Sequence, residues 1–185
     1  MSNKKVTINV FDVKSISAAI AEVQRLRESI DTGAKKLVDK LAEDAVKTAT
    51  EEYETAEYAG EKDVNVASVK TAPLKATVSA TGDSVLFIEF GTGINKSDSP
   101  EARADLKSGN VVGHGQYGHH LGRLKTGWRY TGSIGSPHPA DTYAITEGDH
   151  AGMIQTKGND AKPALYMAKK HANNKFPELV KEVFK

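Results

Sequence analysis

His114-Gly-Gln-Tyr-Gly-His119-His120 sets three imidazoles within seven residues. Neutral imidazole is the commonest nitrogen ligand for metals, and three of them with an open fourth position can hold a catalytic zinc. His138 and His150 follow in the same Gly-rich stretch. The spacing matches no helical zinc pattern. There is no His-Glu-x-x-His, and no carboxylate stands between His114 and His120. The chain has no cysteine, so a closed structural site would need four His or carboxylate ligands. A polar, glycine-rich loop accounts for the same histidines. The expectation is therefore no metal and no cofactor. His114, His119 and His120 are the candidates for the opposing reading, a metal-binding hydrolase.

Other chemistry is weaker. Serines 97, 99, 108, 133 and 136 lie in polar stretches, and none occupies a Gly-x-Ser-x-Gly elbow. Gly91-Thr92-Gly93 follows an apolar run as a dinucleotide loop would. It lacks the third glycine and a helix opening directly after it, and Pro100 comes soon. The paired carboxylates Glu43-Asp44 and Glu51-Glu52 sit on a predicted helix and read as solvent-facing. No catalytic residue is expected.

The elements that would position these groups follow from periodicity. Val6, Ile8 and Val10 alternate with polar residues, which predicts a half-buried strand over residues 5–12 and not a signal peptide. Ser15 or Ser17 can cap a helix carrying Ile16, Ile20, Val23 and Ile30, with Leu26 on its flank. Asp31-Thr32-Gly33 predicts a break or kink before a second helix carrying Val38, Leu41, Ala42, Ala45, Val46 and Ala49, although Gly33 could equally sit inside one long helix. Neither a heptad pattern nor an internal repeat stands out. Two alternating runs follow, Val64 to Val69 and Leu74 to Ala80, divided by Ala72-Pro73. After the turn Thr81-Gly82-Asp83-Ser84, Val85 to Phe90 reads as a third, central strand, completing an antiparallel meander. In it Phe87, Ile88 and Phe90 are core, and Glu89 is either at a rim or paired. Gly91 and Gly93 allow positive φ and end it.

From Thr92 to Gly148 Gly, Ser, His and charged residues dominate without period, which reads as a long polar insertion. Trp128 and Tyr130 suggest a short strand within it, and Met153-Ile154 a last strand. Gly158 to Lys162 is a turn. Pro163 opens a helix continued by Leu165, Met167, Ala168 and Ala172, and Pro177 suits the start of a second one. The class is α+β: a meander packed against N-terminal helices and a C-terminal helix, in a single domain of 185 residues.

Composition narrows the partners. Twenty-five basic residues face 24 acidic ones, for a net charge of +1, which disfavours a general nucleic-acid coat. Two stretches are locally basic: Lys96 to Arg129, and Ala161 to Lys185, where six lysines face two glutamates. Lysines near a helix C-terminus need no partner, but a face toward DNA is the competing reading. No apolar run approaches the ~20 residues of a membrane span, and no membrane partner is expected.

Val85-Leu86-Phe87-Ile88-Glu89-Phe90-Gly91-Thr92-Gly93, with Gly158-Asn-Asp-Ala-Lys-Pro163-Ala-Leu-Tyr-Met-Ala168 some sixty residues later, resembles one family. It is similar to the small head-to-tail joining proteins (neck, or minor tail-component proteins) of long-tailed bacteriophages. In that family an "EFGT"-type turn is followed by a variable insertion, a last strand and a Gly-x-x-Ala-x-Pro opening of a C-terminal helix. Residues 94–150 depart from it in length and histidine content, and Ala164 stands where the family more often has Phe. The resemblance implies a non-enzymatic virion component, present in host cytoplasm during assembly, that joins head and tail as a ring of identical subunits. The implied partners are further copies, other neck or tail proteins, and DNA passing non-specifically through the lumen. The implied structural turns are Gly91, Gly93, Gly158 and Pro163, and residues 92–148 would contact partners. A tail-completion (terminator) protein is the nearest alternative.

Overall fold

The structure is a computed structural model that describes residues 11–93 and 127–185. The α+β class holds: helices occur with small antiparallel sheets, and one hairpin packs against the helical core. Helix α1 spans Val13–Thr55, 43 residues and about 65 Å. Its cap is Asp12, whose side chain accepts from the Lys14 N–H at 3.0 Å, in place of the serines. The remainder of the expected N-terminal strand lies outside the described residues. No break occurs at Asp31-Thr32-Gly33, and the reading of two helices is corrected to one. Gly33 is instead a notch, in which an added Cβ would collide with the Phe184 ring. At the other end, the Lys62 ammonium donates to the carbonyls of Glu54, Ala56 and Tyr53 at 2.6, 3.0 and 3.4 Å. A cation there satisfies orphan carbonyls and suits the negative end of the helix.

Strands β1 (Asn65–Ala72) and β2 (Lys75–Thr81) form an antiparallel hairpin, with Val66 opposite Ala80 and Ser68 opposite Val78. The third strand of the meander does not exist. Val85–Phe90 is a short helix, α2. Six nearly continuous apolar residues carry no period that separates a buried strand from a buried helix. Here the preceding turn decides. Asp63 accepts from the Asp83 N–H at 2.6 Å, the Ser84 N–H at 2.9 Å and the Ser84 hydroxyl, tying down the chain where α2 begins. Val85, Ile88 and Glu89 then share the inward face at helical spacing.

Gly91 closes α2 at φ 69°, and Thr92–Gly93 (β3) pairs with Gly158–Asn159 (β7). Trp128–Tyr130 (β4), Tyr143–Ala144 (β5) and Ile154–Thr156 (β6) form a sheet ordered β4-β6-β5. Helix α3 runs unbroken over Ala164–Val183, with Pro177 inside it, so the separate helix at Pro177 is also corrected. The core is rich in alanine: Ala45, Ala49, Ala56, Ala164 and Ala168 surround Tyr53, Val85 and Ile88. Such small side chains let α1, α2 and α3 approach closely, while Val66, Val78 and Ala80 of the hairpin close one side.

Two outcomes test these assignments. Gly91→Val forces a β-branched residue to positive φ and sets its Cβ 2.7 Å from the Ala161 nitrogen. It should cost about 2–3 kcal/mol of unfolding free energy, read by urea denaturation; an unchanged midpoint would refute the assignment. Three hydrogen bonds from Ser84 and Asp83 hold the Asp63 carboxyl down to about 2, below its ordinary 3.8. A depressed folded value gives stability that is present above 3.8 and lost as pH falls toward 2. Asp63→Asn should therefore flatten part of the acid limb of a stability–pH curve between those values.

Candidate assembly interface

The two stretches that carry the family resemblance meet at one buried carboxylate. Glu89, on α2, accepts from the Tyr53 hydroxyl of α1 at 2.6 Å and from the Leu165 N–H of α3 at 2.8 Å, both through Oε1. The first N–H groups of α3 have no partner within their own helix, so a carboxylate at that end supplies both an acceptor and a favourable charge. The exchange is reciprocal. Near the end of α2, the Ile88 carbonyl accepts from the Lys162 N–H at 2.8 Å, and the Phe87 carbonyl accepts from the Asn159 side chain at 3.1 Å. Burial pushes the Glu89 carboxyl above its usual range, against the opposing pull of the hydrogen bonds from Tyr53, Leu165 and Ala164. Burial, and then Glu89 beside it, pushes the Tyr53 hydroxyl well above its ordinary value. Of the two positions left open for Glu89, the structure selects the paired one. The pair sits inside the junction, and its geometry is that of a structural latch.

The other singled-out residues fall in three groups. Ile88 is fully buried, and Phe87 and Phe90 are half-buried, Phe87 stacking on Tyr58 with ring centroids 6.4 Å apart. Of the three expected core residues only Ile88 belongs to the buried core, and all three stand on a helix, not a strand. Gly91 and Gly158 take positive φ, Gly93 pairs with Gly158, and Pro163 stands at the N-cap of α3. His114, His119 and His120 lie outside the described residues. Among the described residues, no three His, Cys, Asp or Glu side chains gather as metal ligands. His138 Nδ1 lies 2.8 Å from the Gly135 carbonyl, and His150 sits in the exposed β5–β6 loop.

Of the paired carboxylates, Glu43 and Glu51 are exposed, whereas Asp44 and Glu52 are half-buried and paired, which corrects the solvent-facing reading for those two. Asp44 meets Lys175 at 2.7 Å and His171 at 3.1 Å, and Glu52 meets Lys162 at 2.8 Å. Two of the six C-terminal lysines thus clamp α3 and its lead-in to α1. Residues 127–148 are also tied to the core. The Tyr130 hydroxyl and the Gly135 N–H both donate to the Ala59 carbonyl, and the Tyr58 N–H donates to the Pro137 carbonyl.

An exposed apolar surface lies elsewhere among the described residues. Helix α3 ends level with Gly33 of α1, where Phe184 packs, so the first twenty residues of α1 run on past it. There Val13, Ile16, Ile20, Val23, Leu26 and Ile30 are 37–77% exposed. Val23, Leu26, Ile30 and Ala34, with Leu74 from the hairpin tip, line an open groove of about 820 Å³. Positions 13, 16, 20, 23, 27 and 30 follow alternating steps of three and four, with Arg27 as the polar member. This heptad-like seam escaped the sequence reading because it spans fewer than the three to four heptads that make such a pattern stand out. Its signal was the Ile/Val spacing itself.

The latch has a pH signature. With its folded pKa raised above 4.5, Glu89 contributes stability that is complete below 4.5 and declines as pH rises through the folded value. Relative to Glu89→Gln, the wild type should lose stability as pH rises from about 4.5, measured by urea titration at several pH values. Glu89→Ala, which strands the Tyr53 hydroxyl and the Leu165 N–H, should cost about 2–4 kcal/mol. A neutral effect would remove Glu89 from its assigned role.

No helix among the described residues is long and apolar enough to cross a membrane. No protein-family model matches the chain, and no curated protein or solved structure shows significant similarity to it.

Proposed function

We propose that this chain is a non-enzymatic structural subunit of a tailed bacteriophage, one copy in a ring that joins head to tail. The observation that supports the reading is the junction itself. The Glu89-Phe90-Gly91 turn and the Gly158–Leu165 segment, far apart in sequence, are locked together by Glu89, Asn159 and the Lys162 N–H. These are the two stretches that resemble the joining proteins. A second support is the apolar seam of α1, far more exposed than a stand-alone domain needs. In the particle, it would dock against neck or tail proteins. Ring contacts are heterologous, one patch meeting a different patch on the next copy. DNA in the lumen would be met without sequence preference.

Deleting the gene from the phage that encodes it should give filled heads and free tails of normal length by negative-stain microscopy. Tails of abnormal length would favour a terminator instead. Joined, infectious particles would overturn the proposal.

A further inference from the structure

We infer that the free subunit is a dimer in which the exposed seams of two α1 helices pack antiparallel, about a two-fold axis between Ile20 and Val23. The inference concerns the protein before docking and stands apart from the particle reading.

Three observations carry it. The first is self-complementarity. Pairing the seam with an inverted copy of itself sets Val13 against Ile30, Ile16 against Arg27 and Ile20 against Val23, and the same three layers recur on the other side of the axis. Steps of three and four on one helix form knobs that fit holes on another helix of the same spacing. A second copy supplies that match without any other partner.

The second is charge. In a parallel pair, Arg27 would face Arg27 of the other copy in the same layer, bringing two like charges together in an apolar seam. In the antiparallel register, the methylene stem of Arg27 lies along Ile16 and its guanidinium reaches solvent. The antiparallel pairing also keeps the two folded bodies at opposite ends of the contact. In this register Val13, the first residue of the other helix, is level with Ile30, so Gly33, where α3 ends, falls beyond that helix.

The third is area. The six exposed aliphatic side chains amount to on the order of 500 Å² per copy, at the upper end of patches that monomers leave uncovered. Phe11, 95% exposed, lies beyond Val13 and falls at the end of the groove walled by Leu74 of the other copy. Both side chains extend the patch toward the area per partner of a standard stable interface. A two-fold contact closes at two copies and cannot propagate a ring. It would therefore have to open before the subunit docks, which keeps free subunits from assembling without their template.

The absence of cysteine makes the register directly testable. Full-length Val13→Cys and Ile30→Cys proteins are mixed and oxidised. Antiparallel pairing predicts a cross-linked dimer from the mixture and almost none from either variant alone. Efficient cross-linking of Val13→Cys alone would show a parallel pair and overturn the register. Light scattering of the unmodified protein at about 50 μM should give twice the chain mass, and Ile20→Glu should return it to one chain mass with unchanged circular dichroism. A monomer, or a closed oligomer of more than two copies, would overturn the dimer.

Discussion

One buried carboxylate holds three helices in place. Glu89 accepts from Tyr53 of α1 and from the first turn of α3 while standing on α2. Placing a carboxylate in the interior is unfavourable, and its raised pKa records that. The helix start offsets the penalty, because α3 would otherwise bury N–H groups without partners. The carbonyls of α2 are matched in the same small volume by Asn159 and the Lys162 N–H. Each helix end thus supplies what another lacks. The alanine-rich core depends on this arrangement: side chains as small as Ala49 and Ala164 fill space only if the helices are held close.

Helix α3, which starts at this junction and ends beside Gly33, divides α1 into two halves of different character. From Leu37 to Ala56 its inward residues are buried, against α3 in part through the Asp44–Lys175 and Glu52–Lys162 pairs. Above Gly33, the helix continues with Ala19 buried but Val13, Ile16, Ile20, Val23, Leu26 and Ile30 exposed. Isolated helices of this length are marginal in water. The half above Gly33 borrows nucleation from the packed half, and its large aliphatic side chains gain burial when something covers the seam. One half of this long helix is thus folded into the body, and the other offers an apolar face. Among the buried polar side chains, Ser84, Glu89, Thr156 and Asn159 each bond a backbone group.

Much of this was readable from residue order. Apolar spacing from Ile16 to Ala49 marks helix, the paired runs around Pro73 mark a hairpin, Trp128 and Tyr130 mark a short strand, and Pro163 marks the opening of α3. These features are local, set by side-chain period and by the φ limits of Pro and Gly. Even the Glu89 turn was visible as a carboxylate misplaced among apolar residues. Tertiary contacts decided the rest. Val85–Phe90 has the composition of a strand, and it is helical because Asp63, twenty residues earlier, anchors Asp83 and Ser84. Gly33 looks like a break, yet it is a notch for Phe184 at the far end of the chain. Pro177 looks like a start, yet α3 passes through it. The side chain that Glu89 pairs with, and the length of α1 left uncovered, depend on where α3 comes to rest. A one-dimensional period records which face of an element is apolar, but the element that covers that face is chosen by packing between distant parts of the chain.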